Sequence, residues 1–167
     1  MTELDLVVRN ATVVTADETI QSDIGVKDGK IVSLGLNLPA ATEEIDARDK
    51  YVLPGGIDSH VHIEQDSAET GAKTAADFLS TTVSAACGGT TTLIPFVRQE
   101  KGQSLREAVN TYRARPEGKA VIDYALHLII TDPSANVLNQ EIPALIEDGN
   151  TSIKGYMTYR AVMLSDY

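Results

Sequence analysis

The sequence is poor in cysteine and in basic residues, and it contains no long hydrophobic run. Its single cysteine, Cys87, cannot form an internal disulfide, so nothing points to an oxidising compartment and we expect a cytoplasmic protein. We expect Cys87 itself to be a small buried residue rather than a nucleophile, since free cysteine is usually found in cores.

Membrane and nucleic-acid partners are both disfavoured. No apolar stretch reaches the length of about 18 residues that a transmembrane helix needs, and the N-terminus lacks the basic and apolar regions of a signal peptide. Lys and Arg total 14 against 24 Asp and Glu, which gives a formal net charge of -10. Phosphate binding needs a basic face, so this charge argues against nucleic acid as a partner.

The chain divides into two parts with different patterns. Residues 1–53 contain short Val- and Ile-rich strands, with an Asp-Gly hairpin signature at residues 27–30, and predict a small antiparallel β unit that is part of a β-sandwich. Residues 54–167 alternate between strands and helices, which predicts a parallel sheet. The predicted strands are 55–63, 90–97, 120–130 and 151–159, and the predicted helices are 74–89, 104–119 and 135–150. Periodicity alone leaves two architectures open, half of a (β/α)₈ barrel and a small doubly wound sheet.

The strongest chemical feature is a pair of histidines at the end of the first strand after residue 54. Asp58, His60 and His62 are spaced by two residues, so their side chains share one face of the strand. Active sites of parallel barrels form at such strand ends, and two imidazoles there can hold one divalent metal ion. A bare pair of this kind can also be two core histidines, but its position after Pro-Gly-Gly-Ile-Asp favours a metal site. We expect Asp58 to orient the two histidines or to bond polar groups beneath them.

These motifs resemble those of a known enzyme family. Residues 54–62 (PGGIDSHVH) resemble the signature of the amidohydrolase superfamily. Residues 88–92 (GGTTT), 123–127 (DYALH) and 152–159 (SIKGYMTY) are similar to the dihydropyrimidinase/hydantoinase branch, and the similarity covers essentially the whole chain. The resemblance implies an α/β fold, with a small antiparallel β unit followed by about the first four strands of a (β/α)₈ TIM-like barrel, as the N-terminal fragment of a longer enzyme.

The resemblance also implies a set of site residues. It implies that Lys154 is carboxylated by CO₂ and that the carbamate bridges two divalent metal ions, Zn²⁺ in the family, with His60 and His62 as further ligands. Tyr159 matches the tyrosine whose hydroxyl donates to the substrate carbonyl as the oxyanion forms. Without the resemblance, Lys154 would be interpreted as a solvated surface residue and Tyr159 as a half-buried strand aromatic. His127 matches a family position without a ligand role, so we expect it to support the site or to belong to the core.

The function implied is the hydrolytic opening of a cyclic amide, a dihydropyrimidine or hydantoin, by a homotetrameric parent protein. The family's catalytic aspartate and two further histidines belong to later strands, so we expect these 167 residues to be inactive alone. Glu64 stands where a dihydroorotase has an arginine, which disfavours an anionic substrate there. Residues 63–67 and Gly155 depart from the commoner hydantoinase pattern and leave the ring undetermined. Three alternatives stay open: an allantoinase-like hydrolase, a non-catalytic dihydropyrimidinase-related binding protein, and a small metal-binding α/β domain complete at this length.

Overall fold

The chain forms two compact units that divide between Pro54 and Gly55. A computed structural model describes residues 4–65, 72 and 74–156. The sequence placed the division between residues 53 and 54. The N-terminal unit comprises residues 1–54, and the barrel unit comprises residues 55–167.

The described residues of the N-terminal unit form one five-stranded sheet. Its strands are β1 (Leu4–Val14), β2 (Thr19–Lys27), β3 (Lys30–Gly35), β4 (Ala41–Asp46) and β5 (Tyr51–Val52). The hairpin prediction is confirmed: Lys27 pairs with Lys30, and the turn residues Asp28 and Gly29 have positive φ angles of 51° and 71°, as a two-residue hairpin requires.

The prediction of an antiparallel β unit is confirmed for β1, β2 and β3 but is wrong for β4 and β5. Strand β1 pairs antiparallel with β2, but both β4 and β5 pair with β1 in the parallel sense. The sheet order is β3-β2-β1-β4, so residues 36–40 carry the chain from one edge of the sheet across to the far side of β1. A tight hairpin would turn the chain back antiparallel to β3, whereas this crossover lets β4 run in the same direction as β1.

A buried carboxylate joins β1, β2 and the crossover of this unit. Asp23 is 5% exposed, and its carboxylate accepts hydrogen bonds from the backbone N–H groups of Asn10 (2.9 Å) and Leu38 (3.2 Å). Arg9 adds an ion pair at 3.3 Å. The Asn10 hydrogen bond above all, with those of Leu38 and Arg9, holds the pKa of Asp23 below its ordinary value against the opposing effect of burial.

The barrel unit is a parallel sheet with helices between its strands. Its strands are β6 (Gly56–Val61), β7 (Thr90–Arg98), β8 (Asp123–Tyr124), β9 (His127–Ile129) and β10 (Ser152–Lys154), and its helices are α1 (Phe78–Cys87), α2 (Leu105–Arg113), a π-helix (Val137–Glu141) and α3 (Ile142–Glu147). The strand order is β6-β7-β9-β10, with β8 also on β7, and every pairing is parallel. The order advances in one direction, as in a barrel, whereas a doubly wound sheet reverses its order at a switch point.

Several elements of the barrel unit differ from the predicted bounds for identifiable reasons. Helix α1 begins at residue 78 rather than 74, because the side chain of Asp77 accepts from Ser80 N at 2.8 Å and caps the helix there. The predicted strand 120–130 is split into β8 and β9, which pair successively with β7. Residues 137–141 form a π-helix just before Pro143, which has no N–H for the regular bond four residues back.

The core of the barrel unit lies between the sheet and its helices. Ser104 caps α2 as predicted, accepting from Glu107 N at 3.2 Å.

The prediction of a buried Cys87 is wrong. The residue is exposed, because it lies nine positions after Phe78 and therefore on the opposite face of α1. Among the described residues, no helix is both long and apolar enough to cross a membrane. Buried core residues include Phe78, Leu93, Val97, Leu105, Val109, Tyr112, Leu126, Leu128, Ile130, Val137 and Leu145.

Candidate metal centre

The two histidines of the sequence motif lie together at the end of β6. His60 is the penultimate residue of the strand, and His62 directly follows its last residue. Both residues are exposed, and their ring centroids are 5.5 Å apart with the planes inclined at 60°. The strand thus presents two imidazoles side by side, as the two-residue spacing predicted.

Lys154 is the last residue of β10, and its amine reaches the same place. Lys154 Nζ lies 3.5 Å from His60 Nε2. An ammonium group only donates hydrogen bonds, so Nε2 is the acceptor and directs its lone pair towards Lys154. The structure therefore brings together three of the residues that the sequence singled out, His60, His62 and Lys154.

This meeting fits a curled sheet, since side chains of a flat sheet stand roughly perpendicular to it. Strands β7 and β9 lie between β6 and β10, and neighbouring strands are about 4.8 Å apart, so β6 and β10 would be about 14 Å apart in a flat sheet. The contact of 3.5 Å between their side chains places His60 and Lys154 on the concave side of the curl. Barrel strands direct their inner side chains in this way.

A buried phenylalanine lies at the centre of the group. Phe96, in β7, is 3% exposed, and its ring centroid is 4.7 Å from that of His60 and 4.9 Å from that of His62. The ammonium of Lys154 lies 3.9 Å from the centre of the same ring, within the range of a cation–π contact. Phe96 thereby forms a common platform for all three candidate ligands.

His127 connects the two strands that carry the candidate ligands. Its Nε2 lies 2.8 Å from the backbone carbonyl of Ser59 in β6, and its Nδ1 bonds the hydroxyl of Ser152 in β10. A carbonyl only accepts, so Nε2 carries the proton and donates, while Nδ1 of the neutral ring accepts from Ser152. Both nitrogens are engaged, and the ring stacks on Phe96 at 5.1 Å. His127 therefore links β6 to β10 beside the candidate ligands.

Comparison with known proteins decides the family. The pattern of the amidohydrolase family matches residues 51–158. The chain belongs to the amidohydrolase family. Amidohydrolases of this superfamily generally use divalent metal ions.

The relatives of this amidohydrolase agree with the predicted branch. It is 44% identical to the D-hydantoinase of Rhizobium radiobacter over 163 residues, which are 98% of this chain and 35% of the relative. The D-hydantoinase of Geobacillus stearothermophilus is also 44% identical, over 95% of this chain and 34% of its own length. The amidohydrolase chain thus spans about a third of the length of the curated relatives it matches.

Solved structures place the fold in the same group. The crystal structure of dihydropyrimidinase from Brevibacillus agri NCHU1002 superposes with a TM-score of 0.89 at 40% identity, over 96% of this chain and 35% of that one. A structure of D-hydantoinase gives a TM-score of 0.90 at 44% identity, over 98% and 35%. This likeness supports the interpretation of the amidohydrolase chain as a β unit followed by part of a barrel.

The carboxylates of Asp58 and Glu64, which the sequence also singled out, accept hydrogen bonds from backbone N–H groups in the described structure. Asp58 Oδ1 accepts a hydrogen bond from the backbone N–H of His60 at 3.0 Å, so this contact acts on the strand and not on an imidazole ring. Tyr159 lies outside the described residues. Glu64 turns away to helix α1, where its carboxylate accepts from Phe78 N at 3.0 Å, and Lys119 Nζ lies 3.7 Å from it.

Two residues of the site were missed by sequence reasoning. Phe96 was interpreted only as part of a strand rich in β-branched residues. No short-range sequence pattern predicts that three polar side chains contact its ring. Gln65 was noted only as a departure from the commoner family pattern, yet its Oε1 lies 2.5 Å from His62 Nδ1. The only sequence signal for this contact was the position of Gln65, three residues after the candidate ligand His62.

The donor set suits a divalent metal ion once Lys154 is modified. Two imidazoles match the nitrogen ligands that zinc and its neighbours prefer. An unmodified ammonium would repel a cation, and a carbamate would replace it with two anionic oxygens. Within residues 4–65, 72 and 74–156, no group of three or more His, Cys, Asp or Glu side chains could hold a metal ion. Among these residues, the fit therefore depends on His60, His62 and a modified Lys154.

Proposed function

We propose that the protein to which this chain belongs hydrolyses the C–N bond of a cyclic amide, opening a dihydropyrimidine or hydantoin ring. One observation carries the proposal: Lys154 Nζ lies 3.5 Å from His60 Nε2, beside His62, in a chain that matches D-hydantoinases over 98% of its length. We also propose that the whole protein forms a complete (β/α)₈ barrel, of which the described strands supply only part.

His60, His62 and Lys154 would hold the metal. We propose two Zn²⁺ ions, with a carbamate on Lys154 as the bridging ligand. The carbamate forms when the neutral Lys154 amine attacks CO₂ through its nitrogen lone pair and releases one proton. When bound, divalent zinc supplies Lewis acidity at a ring carbonyl and makes water available as a nucleophile near neutral pH.

The chain's own residues prepare the site for that chemistry. His127 ties β6 to β10 through Ser59 and Ser152, and so keeps the strand ends that carry His60 and Lys154 together. Asp58 fixes the backbone of His60. We propose that Tyr159 donates its hydroxyl to the ring carbonyl oxygen as negative charge develops there, a contribution worth about 3–4 kcal/mol for one preorganised donor.

We propose that these 167 residues alone do not turn over substrate. The described residues supply only His60, His62 and Lys154 as candidate ligands, and the curated relatives are about three times as long as this chain. The catalytic aspartate and the two further histidines implied by the family would come from the rest of the protein.

The test compares the full-length protein with the 167-residue chain. Both are incubated with Zn²⁺ and bicarbonate, and ring opening of dihydrouracil, hydantoin and allantoin is followed by loss of ring absorbance or by product chromatography. We expect turnover of dihydrouracil or hydantoin by the full-length protein only. In the full-length protein, Lys154→Ala should abolish activity, whereas Lys30→Ala, at the exposed hairpin of the N-terminal unit, should leave it unchanged.

The other outcomes decide between the alternatives. Turnover of allantoin alone would favour the allantoinase-like function. A full-length protein that binds no zinc and opens none of the three rings would be a non-catalytic binding protein. Turnover by the 167-residue chain would show that the domain is complete at this length and would refute the fragment hypothesis.

We further propose that the protein is cytoplasmic and a homotetramer, with a small-molecule substrate and neither nucleic acid nor membrane as a partner. The family resemblance supports the tetramer, and the net charge of -10 supports the absence of a phosphate-binding face. Light scattering on the full-length protein tests the tetramer directly.

A further inference from the structure

Gln65 connects a candidate metal ligand to the neighbouring strand. Its side-chain Oε1 lies 2.5 Å from His62 Nδ1, and its Nε2 donates to the backbone carbonyl of Phe96 in β7. The backbone of Gln65 is held as well, because its N–H donates to Thr74 Oγ1 and its carbonyl accepts from Thr74 N, both at 3.2 Å. Gln65 is therefore fixed at the backbone and at the amide.

The polarity of this chain of hydrogen bonds fixes the proton on His62. The Phe96 carbonyl can only accept, so the NH₂ group of Gln65 must face it. The amide oxygen then faces His62, and since that oxygen can only accept, His62 Nδ1 must donate. Neutral His62 consequently carries its proton on Nδ1 and has its lone pair on Nε2.

This tautomer is the less favoured one for a histidine in water, where the Nε2–H form predominates. The partner of one ring nitrogen determines which nitrogen is left for a metal ion. Phe96 contributes twice to the arrangement. Its carbonyl orients Gln65, and its ring stacks under His62 at 4.9 Å with the planes inclined at 28°.

We propose that Gln65 is a positioning residue that holds His62 in the Nδ1–H tautomer with its ring fixed on Phe96, so that Nε2 is the nitrogen offered to the metal ion. The part that concerns the metal rests on the proposed function, whereas the part that concerns the tautomer does not. Two measurements keep these parts separate.

The first measurement is the tautomer of His62 in the metal-free full-length protein. Solid-state NMR of protein labelled with ¹³C,¹⁵N-histidine, at about pH 8 and so well above the ordinary histidine pKa, reports which ring nitrogen carries the proton. The His62 signal is assigned by its absence in His62→Asn. We expect Nδ1–H in the wild type, a shift towards Nε2–H in Gln65→Met, and retention of Nδ1–H in Gln65→Glu, whose carboxylate still accepts from Nδ1 although it no longer donates to the Phe96 carbonyl.

The second measurement is zinc affinity, by competition with a chromophoric chelator. We expect Gln65→Met to weaken Zn²⁺ binding by about 10- to 100-fold, and Gln65→Glu to weaken it less, because its carboxylate still accepts from Nδ1 although it cannot donate to the Phe96 carbonyl. Gln21→Met is the matched control, since Gln21 Nε2 bonds Thr12 Oγ1 in the N-terminal unit. That variant should leave both readouts unchanged.

Each outcome bears on one part of the proposal. An Nε2–H tautomer of His62 in the wild type overturns it, even if Gln65→Met fails to fold. An unchanged tautomer in folded Gln65→Met overturns it as well. If the tautomer shifts as expected but the wild type binds no zinc, the positioning role of Gln65 stands and the proposed function fails.

Discussion

Replacing Tyr112 with phenylalanine removes one hydroxyl group from the core of the barrel unit. Tyr112 is 5% exposed and lies on α2, with its ring 5.7 Å from that of Phe78. Its hydroxyl donates to the carbonyl of Ile63 at 2.6 Å. Ile63 is 1% exposed and directly follows His62, so this hydrogen bond holds the chain at the point where it leaves the candidate metal centre.

The magnitude follows from the acceptor that the substitution leaves behind. The phenylalanine ring keeps the packing against Phe78, so almost the whole cost comes from the unpaired carbonyl of Ile63. A buried polar group without its partner costs about 1–3 kcal/mol. We therefore expect Tyr112→Phe to reduce the free energy of unfolding by that amount, which changes the unfolding equilibrium constant by roughly 5- to 150-fold.

The assay is urea denaturation of the full-length protein, followed by circular dichroism, with Tyr51→Phe as the matched control. Tyr51 is 71% exposed, so its variant should stay within about 0.5 kcal/mol of the wild type. A Tyr112→Phe protein as stable as this control would refute the reasoning, because it would mean that the Ile63 carbonyl finds another donor.

The pH dependence of the same variant is a second readout. Burial raises the pKa of Tyr112 above its ordinary value. The unfolded phenol ionises first, so the contribution of Tyr112 to stability is fully present below about pH 10 and is lost as pH rises beyond it. Tyr112→Phe should accordingly lose less stability than the wild type in that alkaline range.

Three further predictions concern the capping of α2, the buried carboxylate and the strand link. Ser104→Ala should destabilise the protein by about 1 kcal/mol in urea denaturation, because it removes the cap of α2; no change would indicate that water replaces the cap. The lowered pKa of Asp23 means that its stabilising effect is present above about pH 4 and is lost as pH falls through the folded-state pKa. Thermal melts of Asp23→Asn should therefore depend less on pH than those of the wild type between about pH 5 and 2, and parallel curves would contradict this. His127→Phe keeps the stack on the ring of Phe96 but removes both hydrogen bonds, so it should cost about 1–3 kcal/mol and weaken zinc binding. Ser152→Ala removes one of these bonds, and a double-mutant cycle without coupling to His127 would contradict the link.

The sequence predicted those features that depend on residues close together in the chain. The hairpin at Asp28 and Gly29 and the cap at Ser104 are local, and each was found where the residue types placed it. The alternation of strands and helices after residue 54 was also legible, because each buried parallel strand and each helix has its own period.

The errors lie where tertiary contacts override local pattern. Whether β4 pairs with β1 in the parallel or the antiparallel sense depends on how residues 36–40 cross the sheet, and nothing within residues 41–46 encodes that path. The split of the predicted strand 120–130 depends on its partner β7, which receives β8 and β9 in succession. The exposure of Cys87 depends on which face of α1 meets the sheet.

The sequence by itself determined the two histidines on one face of a strand end, since a period of two residues leaves no other arrangement. Its resemblance to the dihydropyrimidinase/hydantoinase branch also identified Lys154 as a candidate ligand. Only the tertiary structure decided that the two would meet, because 94 residues and two intervening strands separate His60 from Lys154. The curl of the parallel sheet closes that gap, and it also sets Phe96 beneath the group and Gln65 against His62. Those contacts join separate strands and loops, and no spacing within one segment encodes them.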